Sequence, residues 1–315
     1  VSEPVKKEDR TNRRSSIVNG RLARVSVSQI KAFRDCDRSW WYDKAAHLPR
    51  KPPSKGQKIG DEGHKQIEHY LITGEDVRGP LARVGAEILE PFVQFAPFNG
   101  GPLMVEAALE SPTLFTPGGV EFVGYADLIL PPGGLHAGPV VIDHKFKKDL
   151  EQYAETAEQL RTDDQAIVYL AWAFQRWPTA ARGLFAHHNH QTQGVRYAKP
   201  VQVELDREFV LDRFIEICSL VDGAMQRAAS KLTDLDVGVR EEACSKFGGC
   251  SFLNVCPNAP ARRFALSLTP GVPRPGVVLK APEMGLVDTV RKQLAAAPAA
   301  QPATSAPAPA AAPVA

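Results

Sequence analysis

Pro139-Val140-Val141-Ile142-Asp143-His144-Lys145 is an apolar strand that ends in an acid and a lysine two residues apart. Strand side chains alternate between faces, so Asp143 and Lys145 point the same way. The first offers a hard oxygen ligand to a divalent cation, and the second sets a positive charge beside it. That pairing suits chemistry on a phosphodiester.

Upstream, Glu121-Phe122-Val123-Gly124-Tyr125-Ala126-Asp127-Leu128-Ile129-Leu130 carries one acid deep in an apolar run. A lone carboxylate there is costly to desolvate without a partner. The turn Pro131-Pro132-Gly133-Gly134 lets the two strands pair as a hairpin, which brings Asp127 beside Asp143. Mg²⁺ and Mn²⁺ prefer carboxylate, carbonyl and water oxygens. Asp127, Asp143 and the carbonyl of His144 meet that preference, with Lys145 placed to act on a water or on the transition state. An Asp127–Lys145 ion pair at a sheet end is the plainer reading.

Helical spacing predicts a helix over 56–72, with Gly60, His64, Ile67 and Leu71 on one face. His64 there is either a satisfied core histidine or a third metal ligand. A helix expected over 155–176 puts Gln165 and Tyr169 on one face, extended by Arg161 and Trp172. Further helices are expected near 28–33, 81–95 and 207–231, and strands near 103–109, 120–130, 140–145, 183–187 and 196–205. The order describes an α/β domain with helices on a small mixed sheet.

Composition narrows the class. The 315 residues carry a net charge of only +2, so the chain is not a polycation, and 43% apolar content is ordinary for a globular domain. No apolar run is long enough to cross a bilayer, and a basic start without an apolar core is no secretory signal. A cytoplasmic setting is the expectation. Residues 1–24 read as a disordered basic segment, 25–264 as the folded domain, and 265–315 as a Pro/Ala-rich tail.

Four blocks in order now carry a resemblance: Gly60-x-x-x-His64, Gly124-x-x-Asp127, Ile142-Asp143-x-Lys145 and Gln165-x-x-x-Tyr169. Together they resemble the PD-(D/E)XK nuclease superfamily, its RecB-like branch in particular. The resemblance implies a restriction-endonuclease-like fold and a metal-dependent DNA nuclease. His64, Asp127 and Asp143 would be ligands, Lys145 the catalytic lysine, and Gln165 and Tyr169 would assist at the DNA. Many members carry Glu at the second acid, where this chain has Asp143.

Cys36 stands apart from Cys244, Cys250 and Cys256, which lie within thirteen residues. Four thiolates suit zinc or an iron–sulfur cluster. One N-terminal cysteine with a C-terminal trio looks like the iron–sulfur nucleases of the AddB type and of the CRISPR-associated Cas-four family. There a [4Fe-4S] cluster staples the chain ends; zinc is the alternative. The even gaps between the trio depart from the commoner short first gap. The likeness implies an exonuclease on single-stranded DNA or DNA ends, in recombination, repair, replication or spacer capture, in a bacterial, archaeal or phage-infected cell, with a recombination or helicase partner. A non-catalytic DNA-binding scaffold and a zinc-stapled structural protein are the competing readings.

Three smaller expectations remain. His187-His188-Asn189-His190 reads as a polar hairpin loop. Trp40, Trp41 and Tyr42 suit either stacking on bases or packing beside the cysteines. Cys218 fits a buried small apolar side chain.

Overall fold

The computed structural model describes residues 16–73, 104–110, 112–133, 136–195, 197–245 and 249–259. The helix expected over 81–95, the tail from 265 and residues 1–15 lie outside that set. Among the described residues, no helix is long and apolar enough to cross a membrane.

The core is a five-stranded mixed sheet in the order β4-β6-β7-β8-β9. Its strands are β4 (Met104–Ala108), β6 (Tyr125–Leu130), β7 (Val140–Lys147), β8 (Arg182–Gln191) and β9 (Ala198–Asp206). β6 and β7 form the expected antiparallel hairpin, with Leu128 opposite Ile142. β7 and β8 run parallel, with Asp143 opposite His187, and β9 returns antiparallel.

Period-two alternation divides the core cleanly. Leu128, Leu130, Val140, Ile142, Leu184 and Ala186 face one side and pack against Ile67 of α3 (Lys55–Thr73). Ile129, Val141 and Phe185 face the other side, into the larger cluster built around α6 (Asp164–Arg176). α3 lies close to β7 because Gly63 has no side chain there. A Cβ on Gly63 would sit 2.3 Å from the Phe146 ring, whereas one on Gly60 would meet Phe146 Cβ at an ordinary 3.6 Å.

Several expectations are corrected. Residues 16–24, read as disordered, form strands. β1 (Ile17–Val18) and β2 (Arg21–Leu22) make a hairpin about Asn19-Gly20, both with positive φ, as a type I′ turn requires. β3 (Arg24–Val25) pairs parallel with β5 (Glu121–Phe122). α1 (Val27–Asp35) begins a residue earlier than expected, after Ser26, whose side chain makes no capping hydrogen bond, and α2 (Asp37–Lys44) follows directly. The helix expected over 155–176 is broken. Thr156 caps α5 (Ala157–Arg161) with a capping box, and Asp163 starts α6 afresh, after a single-turn α4 (Leu150–Tyr153). The last helix, α7 (Arg207–Leu220), passes through a π-helical turn, Val221–Met225, into α8 (Gln226–Ala229). His187 to His190 lie inside β8 and are buried, so they form no loop.

Trp40, Trp41 and Tyr42 are buried as well, which removes base stacking and leaves packing. The Trp41 indole donates to the Lys231 carbonyl, and the Tyr42 hydroxyl donates to Asp234. Cys218 is buried as expected, and burial pushes its thiol up to about 12.

Alanine at Gly63 should cost about 1–3 kcal/mol by overpacking against Phe146. Alanine at Gly60 should be neutral or gain up to about 1 kcal/mol of helix propensity. Thermal denaturation of the two variants checks this; equal effects would contradict the close approach at Gly63.

Candidate active site

β7 presents Asp143 and Lys145 on the α6 side, and α6 presents Gln165 from its first turn. Gln165 bridges the pair: its Nε2 donates to Asp143 Oδ1, and its Oε1 accepts from Lys145 Nζ at 2.9 Å. Lys145 Nζ also lies 2.6 Å from Asp143 Oδ2. Gln165 is fixed in turn, because Asp163 accepts from its backbone N–H at 2.7 Å.

Asp127, within β6, stands beside this group. Its Oδ2 accepts from the His144 N–H at 2.6 Å and lies 3.3 Å from His64 Nδ1. The imidazole of His144 points to the other face, where its Nδ1 is 3.1 Å from His190 Nε2. Only the backbone of His144 therefore belongs to the site. Tyr169, one turn beyond Gln165, donates its hydroxyl to the Tyr125 carbonyl at 2.9 Å. Gly124 leaves room for it, since a Cβ there would sit 3.3 Å from that hydroxyl.

The charges are arranged in opposition. Burial works against an ionised Asp143, but Lys145, with His187 and His64, outweighs it and holds this carboxyl below the usual range. Asp127 is pushed the other way, by burial and then by the charge of Asp143, against the pull of His64. Burial lowers His64, but its contact with Asp127 prevails and raises it. Burial also lowers Lys145, and Asp143 more than restores it. Beneath the site His144 is held well below the ordinary histidine range by burial and then by His190 and His188. Burial likewise takes His188 to about 4 and His190 to about 3, so this layer is neutral at pH 7.

His64, Asp127, Asp143, the His144 backbone, Lys145 and Gln165 thus meet at one place, with Tyr169 supporting its edge. Two residues escaped the sequence reading. Glu106 falls opposite Asp127, because Val105 pairs with Leu128 and Ala107 with Ala126. Its φ is +50°, uncommon for a side chain without a special role, and its charge acts on His64. An acid inside Met104-Val105-Glu106-Ala107-Ala108 was the available signal. The second is His187, whose Nδ1 lies 3.3 Å from Glu155 Oε2 and whose Nε2 lies 4.0 Å from Asp143 Oδ2.

A cleft of about 1280 Å³ opens over Lys145, Gln165 and Tyr169; Arg24, Lys31, Arg34 and Arg50 share its walls with Asp43, Glu106, Glu110, Glu155, Asp163 and Asp164, so its lining is mixed in charge.

The donor set of two carboxylates, one imidazole and a backbone carbonyl matches a hard divalent cation. Among the described residues no three His, Cys, Asp or Glu side chains already converge as a metal-binding group. The acids are instead held by Gln165, Lys145, His64 and the His144 N–H, each of which a cation would have to displace or share.

Among the described residues the cysteines do not converge as a ready-made metal-binding group either. Cys36 joins α1 to α2 and is buried, as is Cys256. The Cys244 thiol is pushed up first by burial and then by the Cys250, Cys256 and Cys36 thiols around it. The Cys250 N–H donates to the Cys244 carbonyl at 3.2 Å, after a turn through Gly249 at φ +98°. All four predicted thiols are therefore neighbours.

A family profile described as the PD-(D/E)XK nuclease superfamily matches residues 79–257, more than half of the chain. The chain belongs to that superfamily and is a nuclease by class. Among solved structures it is similar to a presumed exonuclease from Eubacterium rectale. The identity is 12% and the TM-score 0.50, covering 86% of this chain and 100% of that one. A phage-related exonuclease from Haemophilus somnus 129PT matches at 12% identity and a TM-score of 0.28, covering 66% of this chain and 93% of that one. No curated protein matches the sequence.

The raised His64 gives a pH signature in the cation-free protein. Its contact with Asp127 stabilises fully below the ordinary histidine pKa of about 6.5 and is lost as pH rises through the higher value in the fold. Between pH 6 and 9 the chain should lose melting temperature that His64→Gln does not lose; parallel profiles would contradict the contact.

Proposed function

We propose that the protein is a Mg²⁺- or Mn²⁺-dependent DNA exonuclease of the RecB-like iron–sulfur branch. The observation that carries this reading is the Gln165 bridge, which holds Asp143 and Lys145 together beside Asp127 and His64. An ion pair at a sheet end needs no third residue to align it; a reaction centre does.

Asp127, Asp143, His64 and the His144 carbonyl would hold the cation, the carbonyl lying on the same edge of β7 as the N–H that Asp127 accepts. A cation held there supplies charge neutralisation at the phosphoryl group and acidifies a water. Lys145 directs that water and donates to the phosphoryl oxygen as negative charge develops. The water gives up a proton to bulk solvent as its oxygen bonds to phosphorus; the opposite P–O bond breaks, and the leaving oxygen takes a proton from solvent. Gln165 keeps the Lys145 ammonium and the Asp143 carboxylate in register. Tyr169 pins the Tyr125 carbonyl and so steadies the strand that carries Asp127. Single-stranded DNA or a DNA end is the substrate we assign to the cleft over Lys145 and Gln165. Exonuclease action accords with the name given to the E. rectale protein of the same fold.

Cys36, Cys244, Cys250 and Cys256 are assigned to a [4Fe-4S] cluster that closes a domain over 25–264, followed by a tail over 265–315. The proximity of the four thiols supports this, as does the clasp around them. Arg38 donates to the Val237 carbonyl at 2.8 Å and to Asn258 at 2.8 Å, tying α2 to the C-terminal segment.

With Mg²⁺ or Mn²⁺ and end-labelled single- and double-stranded DNA, the chain should release nucleotides. Lys145→Ala should lose about 10²–10³-fold in kcat, and Asp143→Ala at least as much. Undiminished activity in both would overturn the catalytic assignment.

Purified without oxygen, the protein should be brown and contain iron and sulfide. Cys250→Ala should lose the colour and melt earlier, because cluster binding is partly folding energy. A colourless, zinc-loaded protein would overturn the cluster.

A further inference from the structure

His187 sits on the central strand β8, directly opposite Asp143, and is 2% exposed. A carboxylate stands at each of its nitrogens. Nδ1 is 3.3 Å from Glu155 Oε2, and Nε2 is 4.0 Å from Asp143 Oδ2 with no hydrogen-bond partner of its own. Glu155 is itself anchored by the Lys147 ammonium, which also donates to the Tyr153 carbonyl at 2.6 Å. The sequence Lys147–Glu155–His187–Asp143 is a built line of groups that ends on the acid of the reaction centre.

The arrangement has a use because Lys145 is committed twice. Its ammonium holds Asp143 Oδ2 at 2.6 Å, yet the hydrolysis needs that ammonium at the phosphoryl oxygen. When Lys145 turns to the substrate, Oδ2 loses its partner in a buried place, where an unpaired carboxylate oxygen is costly. His187 Nε2 is the next group on that side. A shift of roughly 1 Å brings it into hydrogen-bonding range of Oδ2. Glu155 holds the opposite nitrogen and keeps the ring from turning away.

We infer that His187, fixed by Glu155, is a positioning residue that takes over Asp143 Oδ2 from Lys145 and keeps this carboxylate aimed at the cation. This rests on the reading of Asp143 as a cation ligand. Groups behind a metal ligand change cation affinity about 10–100-fold when removed.

The test is Mn²⁺ binding to the full-length chain, freed of divalent cations, by calorimetry, alongside kcat and KM on single-stranded DNA. His187→Ala should weaken Mn²⁺ about tenfold or more and lower kcat with KM for DNA unchanged. His187→Gln places an amide nitrogen where Nε2 stands and should recover most of the loss; His187→Asn, which reaches only the Nδ1 position, should not. Glu155→Gln should weaken Mn²⁺ in the same direction. Wild-type Mn²⁺ binding in His187→Ala would overturn the inference. So would equal defects in the Ala, Gln and Asn variants matched by equal losses in melting temperature, which would mark simple packing. Asp143→Ala separates the two levels. If it binds Mn²⁺ like the wild type, the ligand reading itself fails; if it alone loses binding, only the role of His187 does.

Discussion

Two largely buried carboxylates on neighbouring strands set the terms for their surroundings. Asp127 and Asp143 raise each other's cost of ionisation in a place with little water. The fold meets that cost asymmetrically. Asp143 is given Lys145 and Gln165, and Asp127 is given His64 and a backbone N–H. The first acid stays ionised and the second is left readier to take a proton. Under the proposed function, a divalent cation would compensate both acids at once and free the groups that now hold them for substrate. The packing serves the same end: Gly63 lets α3 approach β7 closely enough for His64 to reach Asp127, and the restart of the helix at Asp163 puts Gln165 in a first turn over Lys145.

The N-terminal and C-terminal parts of the described domain are tied by a different device. α2 contributes Arg38, Trp41 and Tyr42, which bond respectively to Val237 and Asn258, to Lys231, and to Asp234. The four thiols gather beside this clasp.

Much of the reaction centre was legible because burial makes acids conspicuous. Asp127 and Asp143 stand out in apolar strands, period two puts Lys145 with Asp143, and i,i+4 spacing aligns Gln165 with Tyr169. The same reasoning failed for His187-His188-Asn189-His190, whose polar look disguised a central strand. These residues are buried between β7 and β9, and a run reads as strand only when its buried positions are apolar. Glu106 carried the same signal as Asp127 but lay in a shorter run. The Asn19-Gly20 hairpin was hidden inside a basic segment that net charge alone made look unfolded. The helix break before Asp163 depends on the caps at Thr156 and Asp163, which helical periodicity passes over.

Asp127 and Asp143, side by side on β6 and β7, are proposed as a cation-dependent reaction centre. Anomalous diffraction from crystals soaked in Mn²⁺ tests it most directly. The account predicts a manganese peak between the Asp127 and Asp143 carboxylates, within reach of His64 and the His144 carbonyl. Full occupancy elsewhere, with Asp143 still held by Lys145 and Gln165, would contradict it.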